Sequence, residues 1–321
     1  MAQLEHKFVD TNGIRMHYVQ AGQGPLVVLC HGWPESWYSW RHQIPALANA
    51  GFQVVAPDQR GYGQTSAPHE IESYNLFSLV GDIVGLVNSL GSSNPIIIGH
   101  DWGSPIAWHC ALLRPDLFRA CGLLSVPYIP RIPIKPSSMW PMIEGNDLTF
   151  YQHYFQEPGK AEADFESDLR SAMKKVLVGA SGDAPVGARF EHVFPRGSRP
   201  LALVEEPKTL PGWLTEADVD FFAGEFKRSG MRGGFNWYRN IDRNWELTGF
   251  LEGAKLRQPS MFAAGEHDVV LRMVPDTSSL VDAWMPTCRS KTIIPGAGHW
   301  IQQERPAEIN RLLLEFVAGM R

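Results

Sequence analysis

A run of apolar residues, Pro95-Ile96-Ile97-Ile98, passes through Gly99-His100-Asp101-Trp102-Gly103 into a helix-like stretch that begins Ser104-Pro105-Ile106-Ala107-Trp108. A short run with no polar face reads as a strand buried on both sides, the kind found in a parallel sheet. Glycines two residues before and two residues after Asp101 give a sharp strand-to-helix turn room on both sides. A strand, a tight turn and a helix in direct succession restrict the chain to folds in which helices cover a sheet of parallel strands.

The rest of the chain is consistent with that unit. Residues 14–19 alternate with period two, as a half-buried strand does, and residues 26–30 form a second continuous apolar run. Residues 40–50 look helical, residues 52–56 form a strand closed by Pro57-Asp58, and residues 120–126 form another strand. Between them Leu76, Leu79, Val80, Ile83, Val84 and Val87 recur at helical spacing. The rhythm breaks at a proline cluster from Pro127 to Pro141. From there to about Leu247 the chain is helical, aromatic and often interrupted, with a helix predicted over 161–178 and a loop over 180–200. Strand-like runs return at 259–264 and 291–294, and an amphipathic helix over 307–318 closes the chain. The expected fold is α/β: a mostly parallel central sheet with helices on both faces. Residues 1–128 and 248–321 make up the core, and residues 129–247 form a helical lid inserted after the sixth strand.

Composition removes several classes of function. The 321 residues carry a net charge of −5, and no basic stripe suggests a nucleic-acid partner. No apolar run approaches the ~20 residues that span a bilayer, so membrane insertion is not expected. The first residues, from Met1 and Ala2 on, lack the apolar core of a signal peptide, and the end at Arg321 carries no targeting signal. The four cysteines form no C-x-x-C pair and three lie in apolar stretches. They read as free thiols of a reducing compartment, hence cytoplasmic, and not as disulfides or a metal site. The turn Asp58-Gln59-Arg60-Gly61-Tyr62-Gly63 lacks a G-x-G-x-x-G or Walker pattern around it and reads as structural. No metal or cofactor is expected, and the assembly is expected to be a monomer or homodimer.

Asp101 sits where the nucleophile elbow G-x-S-x-G of α/β-hydrolases carries serine. A serine must lose a proton before it attacks, whereas a carboxylate, with a reference pKa near ~4, is already charged. It suits attack on a strained or activated alkyl carbon and gives an alkyl ester. Hydrolysing that ester needs a base, usually a histidine oriented by a carboxylate. Gly296-Ala297-Gly298-His299-Trp300 and Gly265-Glu266-His267-Asp268 each follow a strand. The order Asp101, Asp268, His299 is the α/β-hydrolase order of nucleophile, acid and histidine. Glu266 competes with Asp268 for the acid, and position relative to the strand end favours Asp268 by resemblance. His31-Gly32-Trp33-Pro34-Glu35 matches an H-G-x-P loop, whose Trp33 N–H would join that of Trp102 in an oxyanion hole. The His31 side chain itself reads as structural.

Together H-G-W-P-E, D-Q-R-G-Y-G, G-H-D-W-G and G-A-G-H-W resemble the soluble epoxide hydrolases of the α/β-hydrolase superfamily, nearly end to end. The resemblance extends to Phe150-Tyr151-Gln152-His153-Tyr154-Phe155 and to Phe235-Asn236-Trp237-Tyr238-Arg239, segments that carry a pair of lid tyrosines. It implies that Tyr151 and Tyr238 give a proton to the opening epoxide oxygen, with Tyr154 a nearby alternative to Tyr151. It also implies that Glu35 helps place the hydrolytic water. The partners implied are a small epoxide and water. Haloalkane dehalogenases share Asp101, Trp102, Asp268 and His299 but favour Asn where Trp33 stands and lack the lid tyrosines. A non-catalytic ligand receptor on the same fold is the third reading.

Overall fold

The strands, in chain order, are β1 (Glu5–Thr11), β2 (Ile14–Ala21), β3 (Leu26–Cys30), β4 (Gln53–Pro57), β5 (Ile96–His100), β6 (Ala120–Leu124), β7 (Leu148–Phe150), β8 (Val193–Pro195), β9 (Ser260–Gly265) and β10 (Cys288–Ile294). They were located in a computed structural model that describes residues 3–185, 187–274 and 276–320. Met1, Ala2 and Arg321, part of the ends inspected for targeting signals, lie outside the described residues. Eight strands form one sheet in the order β1-β2-β4-β3-β5-β6-β9-β10. The pairs β1–β2 and β2–β4 are antiparallel, and every other pair is parallel. The mostly parallel sheet is as expected; β1, a largely exposed edge strand, is an addition to it.

Alternation along the strands sorts their side chains into two cores. Val28, Cys30 and Ile97 join one, with Leu79, Val80 and Ile83 of the helix Leu76–Ser89 and Ile106 and Ala107 of the helix Gly103–Leu113. Val27, Leu29, Ile96 and Ile98 join the other, with Ile44 and Leu47 of the helix Gln43–Asn49 and Ile309 and Leu313 of the helix Pro306–Ala318. Both faces are thus covered by helices, which is why β3 and β5 carry no polar alternation. No helix among the described residues is long and apolar enough to cross a membrane.

The segment between β6 and β9 is not purely helical. It contains an antiparallel ribbon in which Leu148 to Phe150 pair with Pro195 to Val193, so the stretch read as a loop over 180–200 includes a strand. The helix expected over 161–178 is divided into Lys160–Phe165 and Leu169–Gly179. Asp168 separates them: its side chain caps the second helix by accepting from the Ser171 N–H.

The chain leaves β3 for β4 on one side, and β5 then pairs with β3 on the other. Such a reversal opens a crevice at the carboxyl ends of the central strands. The Trp33 loop follows β3, Asp101 follows β5, and the loops with Asp268 and His299 follow β9 and β10. Asp101 has φ of +50°, the left-handed region that costs a non-glycine residue about 1–2 kcal/mol. The turn closes because its glycines leave no side chain in the way: a Cβ at Gly99 would lie 2.0 Å from the Gly103 carbonyl oxygen, and one at Gly103 would lie 2.0 Å from that of Cys30. Gly103→Ala should therefore cost about 1–3 kcal/mol or more and lower the urea midpoint of unfolding. A wild-type midpoint would show that the backbone beside Asp101 can yield.

Candidate active site

His299 lies between two carboxylates. Its Nδ1 is 3.0 Å from Asp268 Oδ1 and its Nε2 is 3.5 Å from Asp101 Oδ2. Asp268 is fully buried, and its Oδ1 also accepts from the Val270 N–H at 2.9 Å, where it caps the following helix. Glu266, the competing acid, instead accepts from the Gly296 N–H at 3.0 Å and braces the histidine loop. Burial by itself would lower the pKa of His299. The Asp268 charge and the hydrogen bonds to both carboxylates outweigh it and hold the imidazole well above its ordinary value. Burial likewise opposes ionisation of Asp268, but the charge of His299 beside it keeps that carboxyl below the usual carboxylate range.

Asp101 Oδ1 accepts from the Trp33 N–H at 2.8 Å. Of the two amides expected to serve Asp101, only that of Trp33 bonds it here, although Trp102 is the next residue and opens the helix Gly103–Leu113 as its cap. The His31 ring sits beneath that loop. Its Nδ1 bonds the Gly32 carbonyl at 2.8 Å and its Nε2 accepts from the Gln59 N–H at 3.0 Å, the structural role read for it.

Two cavities meet at Asp101, and Tyr151 and Tyr238 line both. One, of about 450 Å³, is walled mainly by apolar side chains such as Trp108, Ile129, Trp140 and Trp245. The other, of about 50 Å³, lies toward His299, Trp300 and Val176. The two tyrosine rings are 5.9 Å apart and nearly perpendicular. Tyr238 also meets the Trp33 and Trp102 rings edge-on, at 5.7 and 5.2 Å. Gln152 donates its side-chain amide to the Tyr151 hydroxyl at 2.9 Å. Tyr154, the alternative, lines neither cavity; its hydroxyl faces Asp164 at 3.5 Å. Burial foremost pushes both Tyr151 and Tyr238 above the ordinary phenol range; the nearby Asp101 charge adds to this at both, after the neighbouring Tyr151 in the case of Tyr238. Each hydroxyl therefore keeps its proton through neutral pH and is available as a donor.

Glu35 departs from the expected role. It is fully buried and lines neither cavity at Asp101. Its Oε2 accepts from the Gly32 N–H at 2.8 Å and lies 2.7 Å from His100 Nδ1, while its Oε1 accepts from Gln302 at 2.9 Å. The other His100 nitrogen is 2.7 Å from the His299 carbonyl. Burial opposes the Glu35 charge, yet its pairing with His100 holds the carboxyl down at about 2. Glu35 thus ties the Trp33 loop to the His299 loop from behind the site. Sequence reading also passed over Ser125, whose Oγ is 2.9 Å from His299 Nδ1. The strand expected over 120–126 runs through Ser125, whereas β6 ends at Leu124, and a single serine carries no chemical signature.

The arrangement can deliver a carboxylate to an electrophilic carbon, protonate a departing oxygen, and deprotonate water. The family described as "alpha/beta hydrolase fold" matches residues 25–306. The chain is 43% identical to epoxide hydrolase A of Mycobacterium tuberculosis over 322 residues, which span 100% of this chain and 99% of that protein. It is similar in structure to an epoxide hydrolase from an endophytic Streptomyces, with a TM-score of 0.95 and 45% identity over 99% of this chain and 96% of that one. Epoxide hydrolase A from Mycobacterium thermoresistibile gives a TM-score of 0.93 and 44% identity, covering 99% of both chains.

The raised pKa of His299 depends in part on the charge of Asp101. Asp101→Asn removes that charge at constant shape, so the His299 pKa should fall, as read from ring-nitrogen chemical shifts against pH. The direction follows from the hydrogen bond and charge that Asp101 contributes; an unchanged or higher pKa would mean that Asp268 alone holds the proton.

Proposed function

Because the chain belongs to the α/β-hydrolase fold family and, within it, to the epoxide hydrolases, we propose that it converts an epoxide to a vicinal diol through an ester on Asp101. The observation that carries the residue roles is the convergence of Asp101, His299, Tyr151 and Tyr238 on one cavity system. Asp101 Oδ1 is held by the Trp33 amide, so Oδ2 is the oxygen free to attack. A bond forms from Oδ2 to a ring carbon, and the ring C–O bond breaks. The electron pair passes to the epoxide oxygen, which takes its proton from Tyr151 or Tyr238. Two hydroxyl donors suit an oxygen that stays attached to the product and would otherwise be an alkoxide.

Ester formation removes the charge of Asp101. Two of the influences that keep His299 protonated then disappear, and its proton affinity drops toward that of a base. The Nε2 proton of His299 passes by way of solvent to the tyrosinate left by ring opening; the bare Nε2 then takes a proton from water as the hydroxide oxygen attacks the ester carbonyl carbon. The resulting oxyanion forms on Oδ1, where the Trp33 amide already points and the Trp102 amide is close by in sequence. Collapse breaks the bond from the carbonyl carbon to Oδ2, which leaves with the diol. His299 gives its proton to that departing oxygen, and the new Asp101 carboxylic acid, which carries one oxygen from water, passes its proton to His299, so that the starting carboxylate and protonated imidazole are restored. None of these steps calls for a metal or an organic cofactor.

The lid, residues 129–247, supplies both tyrosines and most of the larger cavity. That cavity suits an epoxide with a sizeable apolar arm. The cysteines are free among the described residues, three of them buried, which supports a reducing, cytoplasmic setting. A monomer or homodimer is the assembly proposed.

The experiment is a single turnover of an aryl-alkyl epoxide in ¹⁸O-labelled water. The expected outcome is unlabelled diol and one ¹⁸O in Asp101. Label in the diol would mean direct attack by water, and halide release from haloalkanes without any diol would indicate dehalogenation instead. Asp101→Ala should abolish turnover, and Tyr151→Phe with Tyr238→Phe should slow ester formation by about 10²-fold or more. Normal ester formation in the double variant would overturn the tyrosine roles.

A further inference from the structure

Among the described residues only Asn12, Asp101 and Ser125 are non-glycine with positive φ. Asn is a residue type that tolerates this region, and Asp101 is the nucleophile. Ser125, with φ of +70° and fully buried, has no such explanation in its backbone. Its conformation is locked from both sides. The Ser125 N–H donates to the Ala263 carbonyl of β9 at 2.8 Å. The preceding carbonyl, that of Leu124, accepts from the Asp101 N–H at 3.3 Å and from the Ser104 hydroxyl at 3.0 Å. Ser125 therefore bridges the end of the strand that leads to Asp101 and the end of the strand that leads to Asp268.

Glycine would satisfy this backbone without strain. What serine adds is a hydroxyl, and the hydroxyl oxygen is 2.9 Å from His299 Nδ1, which also lies 3.0 Å from Asp268 Oδ1. Nδ1 has one proton for two acceptors. A carboxylate is the stronger acceptor, so the proton is directed to Asp268 and Ser125 accepts only a share of it. The serine's own proton is then left to turn toward the Asp268 carboxylate, and a Ser125 hydrogen bond is among the influences that favour the charged form of Asp268. Asp268 needs such a donor, because its Oδ2 is buried without a hydrogen-bond partner in the geometry seen here.

Building on the Asp101 ester mechanism, we infer that Ser125 is a positioning residue of the hydrolysis step. It holds Asp268 ionised and the imidazole in the tautomer that leaves Nε2 free to accept a proton from water. It touches neither the epoxide nor the attacking oxygen of Asp101, and Asp101 is already charged before the epoxide arrives. Its loss therefore affects decay of the ester and leaves formation of the ester nearly untouched.

The test compares Ser125→Gly, which fits the backbone and lacks the hydroxyl, with Ser125→Asn, which tolerates positive φ and restores a donor. Single-turnover mixing with epoxide, followed by acid quench and intact mass measurement, reads formation and decay of the alkyl-enzyme separately. His299→Gln serves as the reference in which the ester is trapped. For Ser125→Gly we expect formation within about twofold of wild type and decay slower by about tenfold, the effect of losing one hydrogen bond to a charged group. In steady state kcat and KM should fall together while kcat/KM stays level. Ser125→Asn should recover most of the decay rate. Unchanged decay in Ser125→Gly, an equal loss in both steps, or no recovery with Asn would overturn the inference while leaving the ester mechanism in place. No ester mass in His299→Gln would bring down the mechanism and the inference with it.

Discussion

Everything in the site depends on one buried arrangement of charge, an imidazole held between the carboxylates of Asp101 and Asp268. Two anions and one cation withdrawn from water carry a large desolvation cost that attraction alone rarely offsets. Here part of the remaining capacity of the anions is met by amides whose positions the fold dictates, Trp33 N–H on Asp101 and Val270 N–H on Asp268, while Asp268 Oδ2 is left without a partner. The helix Gly103–Leu113 points its N-terminus at Asp101 and adds a favourable dipole. These donors come from loops at the ends of different parallel strands, so the sheet is the device that holds the charges in register. The second layer behind them, Glu35 with His100 and Gln302, fixes the histidine loop to the Trp33 loop.

The segment between β6 and β9 supplies what the sheet cannot. A core with these three groups would transfer an alkyl group from any leaving group stable without a proton. An epoxide oxygen is not one, and the tyrosines that would serve it come from two separate lid segments. Their placement relies on contacts within the segment between β6 and β9 as well as on the Trp33 and Trp102 rings that Tyr238 meets edge-on. The Tyr151 N–H donates to the His192 carbonyl at 2.9 Å, beside the β7–β8 ribbon, and Gln156 donates to the Tyr238 carbonyl at 3.1 Å. The same burial that makes the cavity apolar raises both phenols, so they arrive as donors and not as anions that would repel Asp101.

How much of this could be read from the chain divides along physical lines. Asp101, His299 and Asp268 announce themselves because a strand end, a glycine-flanked turn and a reactive side chain are local patterns. Tyr151 was separable from Tyr154 only by resemblance; three residues apart near one short helix, the two differ in which way they face, and that is decided by packing against Tyr238 and Phe155. Glu35 sits next to the right loop but points away from the cavity, because its partners His100 and Gln302 are 65 and 267 residues distant. The division of the predicted lid helix at Asp168 follows from a cap that competes with helical continuation, and a hydrophobic period alone does not register it. The β7–β8 ribbon joins two three-residue strands whose pairing spans over forty residues of chain, too short for an alternation to show.

The charge arrangement also sets the order of events. Before reaction the two carboxylates favour the protonated imidazole, and a protonated Nε2 cannot take a proton from water. In the proposed reaction only ester formation removes one of those anions, by turning Asp101 into a neutral ester. The site then holds one anion and one cation, the Nε2 proton of His299 is less tightly held, and once it has passed to the tyrosinate Nε2 is open to a proton from water. Asp268 persists through both states and must therefore be strong enough to orient the ring yet not so strong as to keep its proton. That balance is set by the hydrogen bonds Asp268 accepts, at an oxygen shared between the Val270 amide and the imidazole, with the hydroxyl of Ser125 beside them.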